Sequence, residues 1–344
     1  MRRRTLTNTA KNKIVEKKDA IAGVVCMYDS QKDELCFVDG DCLVYEEHLT
    51  PIGIVVIPTS HNVYGNGKCG VVSLKYMSRK APNTGGVDDS NDTNINFTWH
   101  DKYGDDSIDT SLQNFNEVPE INSYNDETPT IKQAVYPIRD SGDYALATQG
   151  FTDLYINKSD PVTGYKYRNS LNDRNVFGPS PYLQGGGRNP IYYQNTSPMK
   201  ANILSDFKGK NNTSVLCQIH EQKNTSWKTD SIISDKGCAP AACCWRYSTP
   251  GTKQGDWYLP AAGELCYMPS RRGDIISALY KIQKEYPKEK TVSRYYGFYL
   301  TSTEVDKDSV VSLTSILNTV RVWVEDKKGL MDLSNDNVLA FLQV

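Results

Sequence analysis

The Trp-Tyr-Leu-Pro segment that starts at Trp257 constrains the fold more than any other part of the chain. Proline is tolerated in the first turn of a helix, where its missing N–H would have no partner, so Pro260 predicts a helix that extends to Met268. We expect Trp257 to fill the core beside this helix. Glu264 falls in the first turn, where the helix dipole favours a carboxylate. The segment therefore predicts a buried turn that leads directly into a helix.

Two further patterns follow this turn. Apolar residues recur at helical spacing from Ile275 to Ile282, which predicts an amphipathic helix over residues 272–286, ended by Pro287. Residues 298–304 read Phe-Tyr-Leu-Thr-Ser-Thr-Glu and predict a buried strand. The hydroxyl groups of Thr301 and Ser302 can satisfy backbone groups on such a strand.

Apolar runs bounded by turn residues predict strands at both ends of the chain. Residues 21–28 and 34–38 predict a hairpin. Residues 51–58, an unbroken apolar run between two prolines, predict a strand that is buried on both faces. Further strands are predicted over residues 69–77, 310–313, 319–324 and 338–342.

The last third of the chain also offers a candidate recognition face. Arg321, Trp323 and Glu325 alternate with valines, which indicates a strand with one buried and one exposed side. An exposed tryptophan beside charges can stack on a sugar or anchor a protein partner. The alternative is that Trp323 is a core residue, covered by the middle of the chain.

The middle of the chain, residues 81–215, is rich in Asn, Asp, Gly, Pro, Ser and Tyr and has little periodicity. A structureless loop of this length is unusual in a compact domain, and its interspersed aromatic residues argue against disorder. We therefore predict a long, ordered, loop-rich insertion with a short helix over residues 201–207. After it, residues 215–219 form a helix end or a strand, and residues 239–247 form a helix.

Charge is distributed unevenly although the net charge is only −2. Residues 1–20 contain seven basic side chains against Glu16 and Asp19, and we interpret residues 1–19 as a basic anchoring arm that includes Arg2, Arg3 and Arg4. Residues 81–130 contain eleven acidic side chains against a single lysine, which argues against a nucleic-acid partner. No apolar run is long enough for a signal peptide or a membrane span, so we expect no membrane partner.

Metal and cofactor sites are not predicted. The nine cysteines lack the paired short spacings of a zinc site, and we interpret them as free buried thiols, with disulfides or a metal site left open. Asp88, Ser90, Asp92 and Asn94 alternate as in a calcium loop. The sixth position is not glycine and the twelfth is Trp99, so we interpret a solvated acidic loop. We expect no cofactor and no catalytic residues.

The turn and the strand together resemble the C-type-lectin-like domain. The branch they resemble occurs in surface and phage proteins of gut Bacteroidetes, including the Fibrobacter succinogenes major paralogous domain and crAss-like phages. The residues that carry the resemblance are Trp257, Leu259, Pro260, Glu264, Thr301 and Ser302. It implies an α+β fold, a twisted antiparallel sheet with two flanking helices, in one domain over residues 20–344 with the insertion at 81–215. The triplets of calcium-dependent sugar-binding lectins are missing, so binding of that kind is not expected.

The resemblance also implies a function. We expect a non-enzymatic bacteriophage virion protein, made in the host cytoplasm: a head fibre, a tail fibre or a capsid decoration. Its expected partners are other virion proteins, through the basic arm, and host-surface glycan, and a homo-oligomer (trimer or dimer) is expected. The alternative is a bacterial surface carbohydrate-binding or adhesion protein of the same fold. An enzyme of the formylglycine-generating type is a third hypothesis, for which no reactive cysteine pair is found.

Overall fold

Strands from the two ends of the chain lie side by side in one sheet. The protein's structure is a computed structural model. It describes residues 11–65, 67–86, 189–190, 206–234, 237–265, 267–270, 272–295, 297–304, 309–316, 319–326 and 336–344.

The α-helices of this described part all lie after residue 206. The strands are β1 (Ile14–Val15), β2 (Val25–Asp29), β3 (Glu34–Val38), β4 (Leu49–Ile57), β5 (Gly70–Tyr76), β6 (Asn189–Pro190), β7 (Trp257–Tyr258), β8 (Gly297–Glu304), β9 (Ser309–Ile316), β10 (Thr319–Asp326), β11 (Asp336–Asn337) and β12 (Leu339–Gln343). The helices are α1 (Gly209–Lys223), α2 (Ala239–Arg246), α3 (Ala262–Leu265), α4 (Tyr267–Ser270) and α5 (Arg272–Glu285).

Seven strands form the larger sheet, in the order β1-β3-β2-β4-β5-β12-β7, with antiparallel neighbours throughout. The C-terminal strand β12 pairs with β5 on one side and with β7, the start of the Trp257 turn, on the other. A smaller sheet has the order β11-β8-β9-β10-β6. The prediction of an α+β protein is therefore confirmed, and its more specific lectin-like form stays a proposal.

Helices cover both faces of the larger sheet. On one face, Ile54 and Val56 of β4 pack in a core with Ile275 and Leu279 of α5. On the other face, Val55 packs in a core with residues of α1 and α2. Each large aliphatic side chain that is fully buried in this way contributes roughly 1.5–3 kcal/mol to folding. The prediction that β4 is buried on both faces is confirmed.

Several predicted elements are present with small changes of boundary. The predicted hairpin is β2–β3, paired from Val25↔Val38 to Asp29↔Glu34. Its first strand starts four residues later than predicted, because residues 22 and 23 form a turn with Gly23 at a positive φ of 88°. Helices α2 and α5 lie where the periodicity predicts them.

Two helix predictions are wrong in part. Residues 206 and 207, at the end of the predicted helix 201–207, are not helical; the rest of that prediction lies outside the described residues. The Asp206 side chain instead accepts a hydrogen bond from the Lys208 N–H, a local bond that competes with helix formation, and α1 starts at Gly209. The helix predicted over residues 260–268 is divided into the short helices α3 and α4.

Part of the predicted anchoring arm belongs to the larger sheet. Of the arm predicted over residues 1–19, Ile14 and Val15 form the edge strand β1, and the Asn12 side chain exchanges two hydrogen bonds of 2.9 Å with the backbone of Val44. Arg2, Arg3 and Arg4 lie outside the described residues, as does most of the insertion. No helix in the described part is long and apolar enough to cross a membrane.

Candidate functional site

The turn at Trp257 lies at the meeting point of the sheet, helix α1 and strand β8. Trp257 is fully buried, and its indole N–H donates to Thr252 Oγ1 over 3.0 Å. Thr213 of α1 binds both backbone groups of Leu259, since its hydroxyl accepts from the N–H at 2.9 Å and donates to the carbonyl at 3.2 Å. The Ser302 N–H of β8 donates to the Pro260 carbonyl. The turn is therefore held from three sides.

The N–H groups of Ala261, Ala262 and Gly263, at the start of helix α3, have acceptors outside the backbone of the helix. Glu264 Oε2 accepts from the Ala261 N–H at 2.7 Å. Thr303 Oγ1 accepts from the Ala262 N–H at 2.8 Å, and the Asp206 carbonyl accepts from Gly263. These bonds fix the direction in which the chain leaves Pro260.

A buried carboxyl group, Asp206, joins α1 and β8 to this turn. Its Oδ2 accepts from Thr303 Oγ1 at 2.8 Å and from Asn212 Nδ2 at 3.0 Å, and its Oδ1 accepts from the Lys208 N–H. Burial raises the pKa of Asp206, although these three bonds act in the opposite direction. We call Asp206, Glu264, Thr303, Asn212 and Tyr258 the polar cluster.

Glu264 is the most perturbed carboxyl group of the polar cluster. Its Oε1 accepts from the Tyr258 hydroxyl at 3.1 Å, and that hydroxyl lies 3.2 Å from the Tyr64 hydroxyl. Burial, aided by the nearby Asp206, raises the pKa of Glu264 to about 8, so this carboxyl group is protonated at neutral pH. A neutral acid at this position avoids two adjacent buried negative charges.

Solvent does not reach the centre of the polar cluster. Glu264 and Thr303 are fully buried, and Tyr258 is 1% exposed. A substrate could not contact Glu264 without displacing β7 or α3. The arrangement can hold a proton and position three chain segments, which is the chemistry of a structural centre.

Sequence reasoning located part of this cluster. Trp257, Leu259, Pro260, Glu264, Thr301 and Ser302 are all buried and lie in or beside the turn. The hydroxyl group that caps α3 belongs to Thr303, one residue beyond the pair singled out, and Asp206 was missed. The capping pattern gives no signal for Asp206, because it lies three residues before Gly209 and the N-cap position is occupied by Lys208.

The predicted recognition residues lie on strand β10. Arg321, Trp323 and Glu325 pair through their backbone with Thr314, Ser312 and Val310 of β9. On the other side, Trp323 pairs with Pro190 of β6, so part of the insertion joins the sheet here. The side chains of the three residues lie outside the described part, and their role as a recognition face stays a prediction.

An open groove of about 530 Å³ lies between the edge strand β1 and the first turn of α5. Its lining includes one lysine and five acidic residues: Glu16, Asp19, Asp39, Asp41 and Asp274. Lys13 pairs with Asp39 at 2.9 Å. A Cβ on Gly40 would overlap the Gly23 carbonyl and lie 3.1 Å from the Ala278 Cβ, which explains how α5 approaches the hairpin so closely. We call this surface the acidic groove.

Helix α1 also buries His220 without a hydrogen-bond partner for either ring nitrogen among the described residues. Its ring packs edge-on against Trp227, with centroids 5.6 Å apart. Burial lowers the pKa of His220 to about 4, so the ring is neutral at physiological pH. His220 therefore packs as a neutral aromatic ring.

Several cysteines of the described part are free thiols: Cys26, Cys36, Cys42, Cys69, Cys217, Cys243 and Cys244. Six cysteines of this part are buried: Cys26, Cys69, Cys217, Cys238, Cys243 and Cys244. Burial raises the pKa of Cys217 and of Cys244, which disfavours reactive thiolates there. Within the described ranges, no three His, Cys, Asp or Glu side chains are grouped so that they could hold a metal ion.

Comparison of the chain with protein-family models, with curated proteins and with solved structures gave no match.

Proposed function

We propose that this protein is a structural subunit of a bacteriophage virion, a head fibre, tail fibre or capsid decoration. In this proposal a lectin-like body is presented to host-surface glycan, and the basic residues near the start of the chain contact other virion proteins. The body assembles as a homo-oligomer and carries out no reaction.

One observation carries this proposal: the Trp257 turn pairs with the C-terminal strand β12, in a sheet that also contains strands β1 to β5 from the start of the chain. Strand β7 of the turn is the edge strand beside β12, and β12 pairs with β5, so the turn of the motif that resembles the lectin-like family belongs to the sheet that both ends of the chain share. The family that the motif resembles uses such a frame mainly to present surfaces. This placement supports display more than it supports catalysis.

The closed polar cluster supports the non-enzymatic part of the proposal. Perturbed carboxyl groups are frequent in active sites, but an active site needs a cleft that admits substrate. Glu264 is fully buried, and its partners are the backbone of α3 and the Tyr258 hydroxyl. These bonds satisfy the buried carboxyl group, and burial itself raises its pKa, so neither feature requires a substrate.

Protein mass spectrometry of purified phage particles tests the virion assignment. We expect the intact chain in the particles at a fixed copy ratio to the capsid protein. A variant that lacks residues 1–10 keeps β1 and the Asn12–Val44 bonds, so it should fold but be lost from particles. Absence of the full-length chain from pure particles would refute the proposal.

A glycan array with the full chain separates attachment from a purely structural role. The variant Trp323→Ala should lose the signal, whereas Tyr280→Ala, which removes an aromatic ring that is 58% exposed on α5, should retain it. Binding without any presence in virions would favour the bacterial adhesion alternative.

A further inference from the structure

The acidic groove combines an open sheet edge with exposed apolar side chains. Strand β1 is the outermost strand of the larger sheet, and β3 is its one partner among the described strands. Ile14 of β1 is 62% exposed and the nearby Ile21 is 61% exposed, and both line the groove. An unpaired strand edge beside exposed aliphatic side chains is a surface to which an extended peptide can add.

The charge of the groove restricts the kind of peptide that would fit. Glu16 contacts Lys18 and Asp39 contacts Lys13, but Asp19, Asp41 and Asp274 have no ion pair within the described part of the chain. Three unpaired carboxylates around an apolar strip favour a segment with several cationic side chains and one aliphatic side chain. Arginine suits them best, because its planar group can bind a carboxylate through two hydrogen bonds.

We propose that the acidic groove binds residues 1–10 of a second copy of this chain. This segment begins Met-Arg-Arg-Arg-Thr-Leu, so it offers three arginines for the three unpaired carboxylates and Leu6 for the exposed isoleucines. Opposite charges on the two surfaces accelerate their encounter and fix their register. Exchange of these segments would link copies of the chain into an oligomer.

The position of Asn12 favours a second copy over the chain's own segment. Asn12 binds Val44, whose carbonyl also accepts from the Tyr286 hydroxyl, so the chain enters the body near the end of α5. Asp274 lies in the first turn of that helix, twelve residues earlier, or about 18 Å away along the axis at 1.5 Å per residue. Lys13 lines the groove as well, but residues 11–13 form no turn and the Lys13 carbonyl accepts from the Asp39 N–H, so residues 1–10 of the same chain would have to reverse direction before Asn12 to lie along β1.

Charge reversal in the full chain tests this inference through the mass and dissociation constant of the assembly, measured by sedimentation. The arm-reversed variant carries R2E, R3E and R4E. The groove-reversed variant carries D19K, D41K and D274K. We expect each to weaken assembly at least about tenfold relative to the wild type. A control with an equal charge change outside the groove, at the exposed Glu34 and Glu47 and the half-buried Glu221 (E34K, E47K and E221K), should assemble like the wild type.

Mixing the two reversed variants distinguishes exchange between copies from binding within one copy. Each variant then meets a partner whose groove is complementary to its own segment, so the mixture should assemble when neither component does so alone. If each segment bound its own chain, the mixture would stay monomeric, and the inference would be overturned.

A second measurement keeps the test decisive if a reversed variant fails to fold, which circular dichroism would reveal. The wild-type assembly should dissociate as salt rises from about 0.1 M to about 1 M, because exposed charge pairs are screened. The inference is overturned if the wild type is monomeric at low salt, or if its assembly does not depend on the salt concentration. The inference draws on the proposed function for the homo-oligomer alone, and the assignment to virions is tested separately by mass spectrometry of particles.

Discussion

Replacing Glu264 with glutamine should remove a large part of the pH dependence of this protein's stability. In the folded protein the pKa of Glu264 is raised from its ordinary value of 4.5 to about 8, chiefly by burial. The folded state therefore binds a proton on this group more tightly than the unfolded state does. The stability that this group contributes is fully present below about pH 4.5 and is lost as the pH rises through about 8.

The size of the effect follows from the pKa difference. One pKa unit corresponds to roughly 1.4 kcal/mol, so the loss amounts to about 5 kcal/mol over the whole window and about 3 kcal/mol between about pH 5 and about pH 7. Glutamine does not titrate. Its side-chain oxygen can still accept from the Ala261 N–H, and its amide group can donate to the Tyr258 oxygen. The variant should therefore match the wild type near pH 5 and exceed it increasingly at higher pH.

Urea unfolding followed by circular dichroism at a series of pH values measures this difference. The free energy of unfolding of Glu264→Gln minus that of the wild type should rise by about 3 kcal/mol between about pH 5 and about pH 7. Glu47→Gln, at an exposed position, is the matched control and should run parallel to the wild type. If the Glu264→Gln curve also runs parallel, the carboxyl group is ionised in the folded state and the argument for a protonated polar cluster is wrong.

Three other substitutions test the packing around the same helices. Burial lowers the pKa of His220 to about 4, so the free energy of unfolding of the wild type should fall by about 3 kcal/mol as the pH falls from 6.5 towards 4. His220→Leu cannot titrate at this position and should show a smaller decrease in urea unfolding over the same pH range. Gly209→Ala should destabilise the protein by about 2 kcal/mol or more in thermal melts, because the new methyl group would overlap Oε2 of the buried Glu264. The control Gly273→Ala has open space around the new methyl group and should be neutral or stabilising by up to about 1 kcal/mol. Thr303→Val removes the acceptor of the Ala262 N–H and should lower the free energy of unfolding, measured in urea, by about 3 kcal/mol. Thr303→Ser keeps the hydroxyl group and should lower it by about 1 kcal/mol. Equal losses in the two variants would show that the hydroxyl group is not the cause.

Local periodicity was enough to predict most regular elements of the described chain. The hairpin β2–β3, the doubly buried strand β4 and the amphipathic helix α5 each show their pattern within a single short window. Predictions failed where a side chain far along the chain decides the backbone. Asp206 and Phe207 are not helical as predicted: the Asp206 carboxyl group binds the Lys208 N–H and also Asn212 and Thr303, and Thr303 lies almost a hundred residues away in sequence.

The sequence by itself determined that Trp257 and Pro260 form a buried turn and that the segment before Asn12 is strongly basic, since both properties reside in adjacent residues. The tertiary structure alone decided that Glu264 holds a proton and that Asp19, Asp41 and Asp274 share one groove. The physical reason is that desolvation and electrostatic interaction depend on distance in space. Two carboxyl groups in one sequence reveal neither their separation nor the solvent that reaches them until the chain has folded.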